Sequence, residues 1–187
     1  MAIAGGGMAE AARKLGGVSG VHEDGNGAVL ASGTIDPHWQ LIQSPDLSFP
    51  GPNAIVVNDS GFPIPPWLAN GPNSKWIAPQ ANQSTGNQAG DYKYRITFNL
   101  TGLEPSTAVI TGNWTSDNTG PQVLLNGTPT GVLGDGNFGA LGNAFTINTG
   151  FIAGVNTLDF VVTNAGTVIN PTGVRVELNG TANHQPP

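Results

Sequence analysis

The sequence predicts an all-β protein, an antiparallel β-sandwich of the jelly-roll type, preceded by a mostly irregular N-terminal arm. Three observations predict it. Leu158, Phe160 and Val162 alternate with Asp159, Val161 and Thr163, and Val174, Val176 and Leu178 alternate with Arg175 and Glu177. A strand turns successive side chains to opposite faces, so each run carries one apolar and one more polar face. Tyr92, Tyr94, Ile96, Phe98 and Leu100 alternate with Lys93, Arg95, Thr97 and Asn99 in the same way. Turn signals recur between such runs, supplied by 28 Gly, 15 Pro and abundant Asn and Thr. That mixture suits many short strands joined by tight turns.

In chain order, residues 1–33 form the expected arm. Gly5-Gly6-Gly7 and Gly16-Gly17 flank a short helical pattern over 8–15, in which Met8, Ala11, Ala12 and Leu15 share one apolar face. A helix this short is marginal alone in water and would need a surface to dock on, so the segment reads either as a disordered leader or as an arm that these four residues anchor to a partner subunit. Glu23-Asp24-Gly25-Asn26-Gly27 lacks the ligand spacing of an EF-hand and reads as a turn. The sandwich domain is expected over 34–182, with a tail at 183–187. Strands are expected at 28–31 and 39–42, around Asp36-Pro37-His38, and at 55–57. Residues 59–90 read as a long irregular segment with five prolines, at 63, 65, 66, 72 and 79, and two tryptophans, Trp67 and Trp76. A long loop that keeps its aromatics is packed over the domain or is functional. Residues 76–79 read as the entry to an edge strand.

After the strand at 92–100 comes a turn at 101–106 and a strand at 108–114. Asp117-Asn118-Thr119-Gly120 reads as a turn. The run 123–125 leads to Asn126-Gly127, a strong hairpin signal. Residues 131–142 form a Gly-rich loop, and Phe145 and Ile147 open the last strand series. Eight or nine strands are expected, and no helical pattern interrupts them, which excludes a βαβ fold.

A chain of 187 residues is most simply one domain with appendages, large enough to bury a core without staples. There is no cysteine, so disulfides, zinc-thiolate sites and thiol nucleophiles are excluded. Charged residues are only 10% of the chain, which suits neutral, amide- and hydroxyl-rich surfaces such as those of extracellular and virion proteins. The six Lys and Arg, at 13, 14, 75, 93, 95 and 175, are scattered in a chain of net charge −6. This argues against nucleic acid, whose phosphates need clustered cations. No apolar run approaches the roughly 20 residues of a membrane span, so no membrane partner is expected. The first eight residues lack the basic and apolar regions of a signal peptide. Release by another route, for instance inside a virion, fits that reading.

Catalytic patterns are missing from the sequence. His22, His38 and His184 stand apart, and no zincin, nucleophile-elbow or P-loop motif occurs. Asp117 and Asp159 read as a turn acid and a solvent-face acid rather than a glycosidase pair. Arg95 and Arg175 are expected on solvated strand faces, Arg175 within reach of Glu177. A non-enzyme is therefore expected.

Several segments carry a resemblance: Asp36-Pro37-His38-Trp39, Trp76-Ile77-Ala78-Pro79, residues 92–98, Asp117-Asn118-Thr119-Gly120, Leu125-Asn126-Gly127, and 150–165 with 170–178. Together they resemble the galactose-binding-domain-like β-sandwich module of bacterial exported, surface and phage virion proteins. The resemblance covers residues 36–182. It implies carbohydrate-binding, surface-recognition or virion roles, and it brings in a structural calcium as a cofactor without assigning its ligands.

Two functional expectations follow. Glycans are held by an aromatic platform with a few placed polar groups. Trp67 and Trp76 are the best-placed platform, with Asp117 and Asn118 as hydrogen-bonding groups; the other reading is that Trp39, Trp76 and Trp114, which occur in or beside strands, are core residues. The leading expectation is a non-enzymatic structural or decoration protein of a larger assembly, such as a phage capsid or tail. It would be a homo-oligomer, anchored through its arm to protein subunits, with glycans as further partners, located in a virion or outside the cell. The alternative is a carbohydrate-binding module of a secreted or surface bacterial protein.

Overall fold

The computed structural model describes residues 29–185 and the backbone of a strand at Arg13–Ser19. Met8, Ala11 and Ala12, and the expected turn at 23–27, lie outside the described residues. Leu15 falls within the strand Arg13–Ser19, where the sequence pattern suggested the end of a helix.

Among the described residues there is no α-helix, only eleven strands and two single 3-10 turns at Gln83–Thr85 and Pro105–Thr107. The strands are β1 (Arg13–Ser19), β2 (Ile35–Gln43), β3 (Asn53–Val56), β4 (Ile77–Ala78), β5 (Gly90–Asn99) and β6 (Val109–Asp117). They continue with β7 (Thr119–Leu125), β8 (Thr128–Pro129), β9 (Asn143–Ile147), β10 (Val155–Asn164) and β11 (Gly173–Ala182). Every pairing is antiparallel. One hydrogen-bonded path runs β8-β7-β10-β5-β2-β3-β4-β11-β6-β9, and β1 adds to β11 beside it. The sheet is single and strongly curled into a half-barrel. The expected all-β antiparallel class is present. The ladder is unbroken because β3 pairs with both β2 and β4 and carries the sheet round the corner.

Three differences from the sequence expectation are local. Val29 makes only an isolated bridge, so 29–31 is not a strand. Asp36, Pro37 and His38 lie inside β2, where the register with β3 shifts. The expected turn at Asp117-Asn118-Thr119-Gly120 shrinks to Asn118 alone, between β6 and β7. The Asn126-Gly127 hairpin is present: both residues have positive φ, 52° and 79°, as a type I′ turn requires, and Leu125 faces Thr128.

The core follows from the alternating rows. Tyr92, Tyr94, Ile96 and Phe98 of β5 and Leu100 just beyond it are all buried, as are Leu158, Phe160 and Val162 of β10 and Val174, Val176 and Leu178 of β11. Although β10 and β11 are consecutive, they do not pair. β10 lies between β5 and β7, and β11 lies with β6 on one side and, at different points along its length, β4 and β1 on the other. Phe160 joins the two halves of the curl. Its ring centre lies 5.6 Å from Trp39 of β2, 5.1 Å from Trp114 of β6 and 6.0 Å from Phe145 of β9. Tilted and edge-on contacts of this kind contribute about 0.5–1.5 kcal/mol each beyond area burial.

The inward row of β10 begins and ends on asparagine. Buried Asn156 donates to the carbonyls of Ile152 and Gly154 and accepts from Ile152 N and Asn126 Nδ2. Buried Asn164 donates through Nδ2 to the carbonyls of Asn87, Gln88 and Asn170, at 3.0, 3.1 and 3.2 Å. Each amide plugs one end of the core and holds the loops that cross it.

Gly120 of β7 is forced by the core. A Cβ there would stand 2.2 Å from the Trp114 ring, and the indole is fully buried. Gly120→Ala is expected to destabilise the fold by about 1–3 kcal/mol through overpacking, read as a lower urea midpoint with an unchanged m-value.

Candidate functional site

Residues 57–76 pack over the outer face of β11 and β6 rather than standing free. A second apolar cluster forms there from Val57, Ile64, Trp67, Trp76 and Ala78, with Phe138 of the Gly-rich loop against it. The Trp67 and Trp76 rings lie 4.3 Å apart at 33°, and Trp67 also lies over Gly173, where a Cβ would be 3.0 Å away. Trp76 Nε1 donates to the Leu68 carbonyl at 2.8 Å. Trp67 Nε1 donates to Asp117 Oδ2 at 2.7 Å.

The structure thus brings Trp67, Trp76 and Asp117 into one cluster, with Asn118 beside them. It does not present the two rings as a sugar platform, because Trp67 is 3% and Trp76 0% exposed. An indole in a proline-rich loop can seal that loop as readily as it can face solvent, and here the Asp117 carboxylate draws Trp67 inward. Asn118 Nδ2 occupies the other oxygen of Asp117 at 2.6 Å, while Asn118 Oδ1 accepts from Ala165 N at 2.7 Å. Thr172 Oγ1 donates to the Asp117 carbonyl at 2.7 Å. With both carboxylate oxygens taken by N–H donors, Asp117 works as a clamp between the long loop and the loop that follows β10.

Burial pushes the Asp117 carboxyl up to about 6, opposed by the Trp67 hydrogen bond. An acid whose folded value lies above its unfolded 3.8 contributes stability in full below 3.8. That contribution is lost as pH rises through about 6.

Arg175 lies within reach of Glu177 as the sequence suggested, but neither it nor Asp159 is solvated, at 5% and 1% exposed. Arg175 stands on the polar face of β11, and the loop covers that face. Its Nε donates to Ser74 Oγ at 2.7 Å and its Nη1 to the Ala69 carbonyl at 2.5 Å, while Nη2 lies 3.7 Å from Glu177. Ser74 in turn donates to Glu177 at 2.8 Å. At the outer edge of the loop, Asp59 accepts from Asn70 at 2.6 Å and pairs with Lys75 at 3.1 Å.

The neighbouring loops are tied by buried amides that no motif announced. Gln83 Nε2 donates to Asn87 Oδ1 at 2.9 Å, Gln83 Oε1 accepts from Thr172 N at 3.0 Å, and Asn87 Nδ2 donates to Asp46 at 2.9 Å. Burial raises the Asp46 carboxyl, but hydrogen bonds from Asn87, Ser48 and Gln88 outweigh it and hold the group below its usual value. The only available signal was compositional, the density of Asn and Gln in 80–88 and 164–170. Among the described residues, no three His, Cys, Asp or Glu side chains converge as metal ligands.

Comparison with known protein families, with curated proteins and with solved structures found no match.

Trp67→Phe removes the donor from a carboxylate that needs it most when ionised. Its stability deficit against wild type is expected to grow by about 1 kcal/mol between pH below 3.8 and pH above 6, measured by urea unfolding at both ends. Arg175→Ala leaves Ser74, Glu177 and the Ala69 carbonyl without their common donor. A loss of about 3–5 kcal/mol is expected, and trypsin is expected to cut after Lys75 faster in the variant than in wild type.

Proposed function

We propose that the chain is a non-enzymatic structural or decoration protein of a larger assembly, such as the capsid or tail of a phage virion. Its N-terminal segment attaches it, and its outer surface contacts glycans. The observation that carries this reading is β1. The start of the chain returns to the sheet and adds a strand to the β11 edge, with Arg13 opposite Ala182, Lys14 opposite Thr181 and Ser19 opposite Asn179. Edge pairing supplies main-chain hydrogen bonds without a dedicated pocket, and the same contacts form equally well between copies. The best-built polar cluster of the long loop supports the non-enzymatic part, since the oxygens of Asp117 are taken up in holding loops. A virion or extracellular location and a homo-oligomeric state belong to the same reading.

The finer fold reading is a jelly-roll sandwich of the galactose-binding-like group. It is supported by the two halves of the curl packing through Phe160, Trp114 and Phe145. The second functional reading, a carbohydrate-binding module of a secreted or surface protein, is favoured by the polar outer face of β2, β5 and β10.

Analytical ultracentrifugation over a concentration series tests the assembly reading. The full chain is expected to self-associate reversibly and a chain lacking residues 1–19 to remain monomeric. Equal or greater association of the truncated chain, or a full chain that stays monomeric throughout, would overturn it.

A further inference from the structure

Away from the long loop, β2, β5 and β10 carry a grid of hydrogen-bonding side chains on their outer face. Gln40, Arg95 and Asp159 lie in one cross-strand row, and Thr97 faces Thr157 in the next. Asp159 is buried and holds Arg95 at two points, Oδ1 to Nε at 2.6 Å and Oδ2 to Nη2 at 2.8 Å. The guanidinium plane is thereby fixed and its charge is neutralised. Where β2 turns away from β5, a cleft of ≈ 210 Å³ opens, lined by Pro37, His38, Gln40, Arg95 and Thr97. Among the described residues, the Gln40 carboxamide, the Thr97 hydroxyl and Arg95 Nη1 have no protein hydrogen-bond partner.

We infer that this cleft is the glycan contact and takes one hexose unit. The inference rests on the glycan-binding part of the proposed function and is independent of the arm. The cleft volume lies below the roughly 300–1,000 Å³ of sites for drug-sized ligands, which limits it to a single ring. Gln40 and Thr97 can both donate and accept, and Arg95 Nη1 donates. That alternation matches a sugar's hydroxyls, each of which also donates and accepts. Because Asp159 already balances Arg95, the site selects hydroxyls over anions. Pro37 supplies the apolar surface for the C–H face of the ring. Without an aromatic platform the affinity is weak, on the order of millimolar.

The test is a ¹⁵N–¹H NMR titration of the full chain with D-glucose, D-galactose and N-acetyl-D-glucosamine, with acetate as the anion probe. Saturable shifts centred on Gln40, Arg95 and Thr97 are expected with at least one sugar and none with acetate. The double variant Gln40→Ala, Thr97→Val alters exposed side chains, so it should keep its melting temperature and weaken that sugar at least tenfold. No saturable shift at these residues with any of the three sugars overturns the proposal. So does a response that survives the double variant, or acetate binding as well as sugar. The sedimentation behaviour of the arm deletion is unaffected by any of these outcomes, so the two readings fail separately.

Discussion

Phe160 is the contact on which the rest of the structure depends. It belongs to β10, the strand held between β5 and β7, and its ring meets Trp114 and Phe145 from the opposite half of the curl. A curled sheet has no reason to close without apolar side chains long enough to bridge the interior. Three aromatic rings around a fourth supply that bridge, and glycines admit it: Gly120 and Gly134 both lie against the Trp114 indole. The positions of β6 and β7, and of Asp117 and Asn118 at their junction, follow from that packing.

Outside this core lies a second, smaller one, and its composition is unusual for a surface. The polar face of β11 would ordinarily meet water. Residues 57–76 cover it with Trp67 and Trp76, and the buried charge beneath is satisfied by Arg175 reaching Ser74, the Ala69 carbonyl and Glu177. A buried arginine lacking these partners would be costly, so the loop and the arginine require each other. The molecule therefore offers solvent a closed loop on one face and an open polar sheet on the other.

Much of this fold was legible in the sequence where the information is local. The alternation of β5, β10 and β11 identified their inward rows residue by residue, and Asn126-Gly127 located a hairpin. The candidate site was less legible because its decisive contacts are distant in sequence. Trp67 and Asp117 are fifty residues apart, and Arg175 and Ser74 are a hundred and one apart. Alternation places Arg175 on the polar face of β11 but is silent on whether another segment covers that face. The tight junction at Asn118 was hidden for a related reason: Asp117-Asn118-Thr119-Gly120 has turn composition, while pairing with β11 and β10 extends the strands almost to contact.

Asparagine at both ends of the β10 row has a consequence for how the protein meets its surroundings. Asn156 and Asn164 hold the loops through uncharged amide bonds to backbone carbonyls and amides. Such bonds are not weakened by counterions as exposed ion pairs are, and with no cysteine in the chain no thiol chemistry bears on them. The hold that these two side chains exert at the ends of β10 therefore depends neither on ionic strength nor on thiol redox state.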